Sequence, residues 1–296
     1  MKERNVLFTS IDGFIGLNIF KKFSKSNFYF LTDKISRVNH EKSIYHYNDF
    51  EKILKSKKIN IVFNNRGILL GRPRDLNKVN YLDSKRIFNL TSKYMVDYFI
   101  NLDTNKALNS PDLPSSIIGH GKGSEYHNSK ENFRQFFMTK KSSFNKINIH
   151  CDIIYGPNDK LHKFVNKTVF EIMNNDKNIT LYNPNLVRNF LYIDDFLKYI
   201  NKLIVSIHRL DKPYSELFFS SAEFNTLHEF ISTIKYLLKS NIFINSHKGN
   251  LYKKTNQILK NEFDSKKNPN WLRLKATVDL KVGLGRVIKP LLKGEI

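Results

Sequence analysis

The chain has 296 residues, 41% of them hydrophobic, with 24 Phe and 14 Tyr; that composition excludes a disordered tail and allows a sizeable core. A single cysteine, Cys151, excludes an internal disulfide and any Cys-cluster zinc site, and no apolar run reaches the length of a membrane span. Lys and Arg number 49 against 27 Asp and Glu, a net charge of +22, but zinc-finger spacing, a basic-region heptad and an Arg-Gly-aromatic signature are all missing. The expectation is therefore no nucleic-acid partner, and a positive field that suits an anionic small substrate.

Asn5–Thr9 reads as a first strand, followed by a helix over Phe14–Phe23 with apolar residues at Phe14, Ile15, Leu17, Ile19, Phe20 and Phe23. Phe28–Thr32 reads as a second strand, then a helix over Phe50–Lys57 and a strand over Ile59–Phe63. Leu82–Tyr94 reads as a helix, Tyr98–Leu102 as a strand, Tyr126 onward as an amphipathic helix with Phe133, Phe136 and Phe137, and Ile147–Tyr155 as one further strand. Nearly continuous apolar strands alternating with helices predict an α/β fold, a doubly wound parallel sheet covered on both faces. The rhythm loosens after Gly156-Pro157, which places a smaller α/β domain at 161–296 behind a first domain at 1–160, with a segment near 187–212 returning to the first. Val6-Leu7-Phe8 is too short for the core of a signal peptide, so the expected location is the cytoplasm. Nine histidines without ligand spacing predict no metal.

The first strand runs into Thr9-Ser10-Ile11-Asp12-Gly13-Phe14-Ile15-Gly16 before the first helix. A strand-to-helix turn of this kind lets the backbone approach a pyrophosphate, with Gly13 permitting the approach and Gly16 letting the helix pack on the sheet. The second strand ends in Asp33, some 17 residues beyond Gly16, where a carboxylate can accept both adenine-ribose hydroxyls and would repel a 2′-phosphate. Lys34 and Arg37 follow closely and leave NADP open beside NAD.

The Thr9–Gly16 stretch resembles the Thr-Gly-x-x-Gly-Phe-Ile-Gly pattern of the extended short-chain dehydrogenase/reductases, the NAD-dependent epimerase/dehydratase family. Ile149–Pro157 is similar to that family's sixth strand ending in Tyr-Gly-Pro, and Val187–Asp195 to its Arg-Asp-Phe-Val-Tyr-Val-Asp-Asp segment. Asn80-Tyr81-Leu82 resembles the Asn-Val element that opens its fourth helix, and Val278–Leu284 its C-terminal helix start. The resemblance implies a Rossmann fold, a smaller substrate-binding domain, NAD or NADP as cofactor, a nucleotide-sugar substrate and a homodimer.

Its Tyr-x-x-x-Lys motif has two counterparts by spacing, Tyr81/Lys85 and Tyr126/Lys130; the second lies beyond the fifth strand, where the family keeps its pair. Residues four apart share a helix face, and an ammonium beside a phenol favours phenolate, drawing down a reference pKa of about 10. The resemblance thus makes Tyr126 the acid/base, Lys130 its activator and a holder of the nicotinamide ribose, and Thr104 the hydroxyl that orients the reacting oxygen. It implies cofactor contacts at Ser10, Gly13, Phe14, Ile15, Gly16, Asp33, Asn65, Arg66, Tyr126, Lys130 and Tyr155, and substrate contacts at Thr104 and Arg188, the latter on a diphosphate. The implied chemistry is epimerisation or oxidoreduction of a nucleotide sugar through a 4-keto form and hydride transfer. Two alternatives stand beside it: an NADPH-dependent 4-ketoreductase similar to the abequose-forming enzymes, and a non-catalytic Rossmann binding protein. The sequence departs from the pattern at Ser10 (a glycine), at Phe63-Asn64-Asn65-Arg66 (small residues) and at Ile153 (an asparagine). Arg66 would either clamp a phosphate or crowd it. Asn105 and Lys106, where dehydratases carry an Asp-Glu pair, argue against a 4,6-dehydratase.

Overall fold

The computed structural model describes residues 4–24, 27–34, 36, 43–105, 125–174, 178–247, 256–257, 259–261 and 263–294. Arg37 and Lys106 lie outside them. Two compact units emerge: the described residues of 4–105, 125–150 and 206–217 form one, and those of 151–205 and 218–294 the other.

The first unit is built on a seven-stranded sheet. Its strands are β1 (Val6–Phe8), β2 (Phe28–Thr32), β3 (Ile44–His46), β4 (Ile61–Asn64), β5 (Tyr98–Thr104), β6 (Asn145–Cys151) and β10 (Tyr214–Phe218), in the order β10-β6-β5-β4-β1-β2-β3. The pairs β1–β2, β2–β3, β1–β4 and β4–β5 are parallel. The order reverses at β1, between β2 and β4, which is the doubly wound Rossmann arrangement with its switch point at the C-terminal end of β1.

Alternation along the strands assigns the two faces. Phe8, Phe30 and Phe63 pack together on one face, where Phe20 and Phe23 of α1 (Phe14–Phe23) cover them. Leu7, Leu31, Val62 and Phe99 point into the other core. They meet Phe50, Ile53 and Leu54 of α2 (Phe50–Ser56), Ile87 and Phe88 of α4 (Ser84–Thr91), and Phe133 and Phe137 of α5 (Glu125–Thr139). With helices on both faces, the inner strands β1, β2 and β4 carry almost no polar side chains except at their C-terminal ends.

Several elements differ from the sequence expectation. The predicted helix over Leu82–Tyr94 starts earlier, with α3 (Pro73–Leu76) and a π-helical stretch (Asn77–Asp83) running into α4. Strand β3 is too short for its alternation to register in the sequence. The single strand expected over Ile147–Tyr155 is broken at Asp152: β6 stays in the large sheet, while β7 (Ile153–Tyr155) pairs in parallel with β9 (Val187–Tyr192) of the second unit. Asp152 accepts from the Asn189 backbone N–H at 2.9 Å and from the Arg188 guanidinium, so the chain turns there to satisfy a buried carboxylate.

In the second unit β9 lies between β7 and β11 (Phe224–Thr226), and β8 (Ile179–Tyr182) pairs with β12 (Ile244–His247). Its helices are α6 (Phe164–Asn174), α7 (Ile193–Ser206), α8 (Leu227–Leu238) and α9 (Leu280–Leu292). Asp195 at the start of α7 is buried and accepts the backbone N–H groups of Thr277 and Val278 at 2.9 and 3.0 Å, tying down the segment that leads into α9. Among the described residues no helix is long and apolar enough to cross a membrane.

Candidate functional site

The turn after β1 is the first constituent of the site. Gly13 caps α1 in an extended conformation, and no side chain caps the helix. A Cβ added at Gly13 would meet nothing within 4 Å, so the exposed helix terminus faces open space. At Gly16 the reverse holds: a Cβ there would lie 2.2 Å from the Ser10 carbonyl oxygen, so only glycine lets α1 rest on the turn. Ser10 replaces a glycine without strain, because its φ is not positive. The Asn65 side-chain amide brackets it, accepting from Ser10 N–H at 3.1 Å and donating to its carbonyl at 2.6 Å. Asp12 is drawn away from the open space, accepting from the Thr32 hydroxyl at 2.6 Å and the Asp33 backbone N–H at 2.8 Å.

Beside this turn, Arg66 donates to Asp33 Oδ2 at 2.7 Å and to Asp83 Oδ2 at 3.0 Å, with its guanidinium 4.1 Å above the Tyr47 ring. Burial opposes the Arg66 charge, but the hydrogen bond and charge of Asp33 outweigh it and tighten its hold on the proton. Burial and the nearby Asp83 push the Tyr47 phenol up to about 12. Asp33 itself remains half exposed, and its Oδ1 makes no hydrogen bond among the described residues.

The second constituent lies at the C-terminal end of β5 and on α5. Tyr126 and Lys130 stand one turn apart, Tyr126 partly exposed and Lys130 buried. The Lys130 ammonium donates to the Leu102 carbonyl at 2.9 Å, two residues before Thr104. A Cβ on Gly67 would come 3.3 Å from Asn80 Oδ1 and 3.8 Å from Lys130 Nζ, so the loop after β4 reaches this point too. Asn80, in the π-helical stretch, is fully buried. It accepts from Ile68 N–H at 2.8 Å and donates to the Ile68 carbonyl at 2.9 Å and to Ser129 Oγ at 3.0 Å. It therefore locks that loop to the helix carrying Tyr126 and Lys130, a local distortion of the kind often retained at working sites. The competing pair by spacing, Tyr81/Lys85, is a cation–π contact at 5.6 Å shared with Phe136.

Behind Thr104 runs a buried polar chain that sequence reasoning missed. Thr9 donates to Asn64 at 3.1 Å, Asn64 to Asn101 at 3.1 Å, Asn101 to Asn148 at 2.8 Å and Asn148 to Asp103 at 3.0 Å. Every donor in that series points toward one carboxylate. Asp103 also accepts from Arg134 Nε at 2.6 Å and from the Thr104 backbone N–H at 2.8 Å, so it fixes the backbone that presents the Thr104 hydroxyl. His150 Nδ1 lies 3.1 Å from the Thr104 carbonyl oxygen and its Nε2 3.2 Å from Glu216. The available signal was asparagine, a poor strand former, at matching depths on three strands; Asn64 and Asn101 are direct register partners.

Burial alone would raise the Asp103 pKa, but the Arg134 charge, His150 and the Arg134 hydrogen bond bring it down to about 2. A carboxyl with a folded pKa below its unfolded value, about 3.9, stabilises the fold above that unfolded value and loses the contribution as pH falls toward 2. Urea denaturation should therefore show the stability gap between wild type and Asp103→Asn shrinking by roughly 2 kcal/mol between pH 5 and pH 2.

Two further candidates lie in the second unit. The Arg188 guanidinium is held by both oxygens of Asp152, at 3.1 and 3.0 Å from Nε. The Tyr155 ring is 1% exposed between Phe190 and Tyr192, under Gly283, where a Cβ would lie 2.0 Å from its hydroxyl.

No protein-family model and no curated protein sequence matches the chain. Solved structures do. UDP-glucuronic acid 4-epimerase from Bacillus cereus in complex with NAD superposes with a TM-score of 0.71 at 15% identity, over 98% of this chain and 100% of that one. UDP-glucose 4-epimerase from Thermotoga maritima with UDP-glucose gives 0.69 at 16% identity, over 99% and 100%. The enzyme WbmF from Bordetella bronchiseptica in complex with NAD+ gives 0.74 at 13% identity, over 100% and 96%. The chain shares their fold.

Proposed function

We propose that the protein is an NAD(P)-dependent enzyme that epimerises or oxidises and reduces a nucleotide sugar through a 4-keto form. The observation that carries this reading is the arrangement on α5: Tyr126 one turn from Lys130, whose buried ammonium rests on the Leu102 carbonyl at 2.9 Å, two residues from Thr104. A buried lysine is costly unless it has work or partners, and its place at the end of β5, close to the loop after β4, suits the work proposed for it.

The dinucleotide fits the residues present. The uncapped N-terminus of α1 and the open space at Gly13 suit a pyrophosphate, with Phe14, Ile15 and Gly16 supplying further backbone N–H groups. The unbonded oxygen of Asp33 suits a ribose hydroxyl. Bound there, NAD supplies a hydride acceptor and donor. Tyr126 takes the proton from the C4 hydroxyl of the sugar and returns it when the carbonyl is reduced. Lys130 favours the phenolate by its charge and holds the nicotinamide ribose, and Thr104 hydrogen-bonds the reacting oxygen. Arg188 serves the substrate diphosphate, a role for which a guanidinium is suited. Residues 1–160, joined by a segment near 187–212, act as the nucleotide-binding domain, 161–296 mainly as the substrate-binding domain, and two chains pair.

Mass spectrometry of small molecules released from the denatured protein is expected to find NAD. Incubation with a panel of UDP-, dTDP- and GDP-hexoses should then yield one C4 epimer without net loss of cofactor. Stoichiometric oxidation of NADPH by a 4-keto sugar nucleotide, with no resident cofactor, would favour the reductase, which uses the same three side chains. Saturable binding of neither NADH nor NADPH would remove both.

A further inference from the structure

Asp33, Arg66, Asp83 and Tyr47 form a group that the chemistry above does not use in full. They come from four places in the chain: the end of β2, the loop after β4, the π-helical stretch, and the turn after β3. Arg66 is only 13% exposed in its side chain, Asp83 14% and Asp33 52%. Arg66 uses Nε for Asp83 and Nη1 for Asp33, and Tyr47 supports the guanidinium plane from below at 4.1 Å. The cation is thus enclosed, stacked and shared between two carboxylates, while the carboxylate nearest solvent keeps one oxygen unbonded. Three charged groups leave one negative charge in excess.

Taking the nucleotide-binding reading as its basis, we propose that Asp83 decides between NAD(H) and NADP(H) by holding Arg66 on Asp33. With Asp83 in place, Arg66 orients the Asp33 carboxylate toward a ribose hydroxyl and has no charge to spare for a phosphate. A 2′-phosphate arriving at Asp33 meets net negative charge. Lys34 and Arg86 are nearby cations outside the group; both are exposed, and solvated side chains of this kind contribute little. Removing the Asp83 charge weakens its hold on Nε of Arg66, most fully where the acceptor is lost as well in Asp83→Ser, and neutralises the excess, so the guanidinium can serve as a phosphate ligand, the task to which its planar fork is matched.

The test is a fluorescence titration of NADH and NADPH, free of any substrate, on wild type, Asp83→Asn, Asp83→Ser, Arg66→Gln and the Asp83→Asn/Arg66→Gln double variant. Melting curves identify the variants that fold. Wild type is expected to favour NADH. Either Asp83 variant should shift the ratio of dissociation constants toward NADPH by about tenfold, mainly through tighter NADPH binding, and the shift should shrink as salt is raised. The double variant should lose the gain, because the gain belongs to Arg66. A ratio unchanged within about twofold in both Asp83 variants, with wild type still binding NADH, overturns the proposal and leaves the nucleotide-binding reading standing. Binding of neither nucleotide to wild type overturns both.

Discussion

Replacing Tyr126 with Phe is expected to lower turnover on the order of a thousandfold while leaving fold and nucleotide binding nearly unchanged. The substitution removes one oxygen from a partly exposed ring at the start of α5. The helix is anchored elsewhere, by Phe133 and Phe137 in the core and by Asn80 on Ser129 at 3.0 Å, so packing gives no reason for it to shift. The proton lost by the C4 hydroxyl then has no acceptor placed to take it. The checks are kcat on the nucleotide sugar identified by its C4 epimer, a melting curve and an NADH titration. Undiminished turnover would end the role assigned to Tyr126.

The largest expected effect on stability is at Arg134. Its Nε lies 2.6 Å from a carboxylate whose side chain is 0% exposed, and its own side chain is 7% exposed. Arg134→Met keeps most of the volume and strands Asp103 in the sheet. Breaking a buried pair from one side costs roughly 3–5 kcal/mol, because the remaining charge has already given up its water. Asn148, the Thr104 N–H and Lys130 still face Asp103, so the lower end of that range is expected. The double variant Arg134→Met/Asp103→Leu removes both charges and should recover part of the loss, though it leaves the Asn148 amide and the Thr104 N–H without their acceptor. Urea denaturation of the three proteins reads this out. A cost below about 1 kcal/mol for Arg134→Met would mean that the carboxylate is held by the asparagine series and not by the guanidinium.

These two residues differ in how far the sequence reveals them. Counting offers Tyr81/Lys85 and Tyr126/Lys130 alike, since four residues make one helical turn wherever the helix goes, and only the resemblance, by position beyond the fifth strand, singles out the second pair. Arg134 sits on the same helix and is expected to carry more of the stability, yet no spacing marks it. Its partner is 31 residues away on β5, and only the packing of α5 against the sheet joins them. Asn65 and Arg66 stood out as departures from small residues. What they do, one bracketing Ser10 and the other shared between Asp33 and Asp83, depends on contacts across 55, 33 and 17 residues of chain.

The sequence by itself determined the elements that local periodicity governs. Helix α1 over Phe14–Phe23 and strand β2 over Phe28–Thr32 form where the pattern puts them, and the glycine turn between β1 and α1 follows from the residue types it contains. Only the tertiary structure decided where β6 ends and β7 begins, because the break at Asp152 serves an arginine 36 residues further on. It alone decided that three asparagines on neighbouring strands share one series of hydrogen bonds. The physical reason is common to both: propensity and amphipathicity act within a few residues, whereas a buried polar group must find its partner wherever strand register and helix packing bring one.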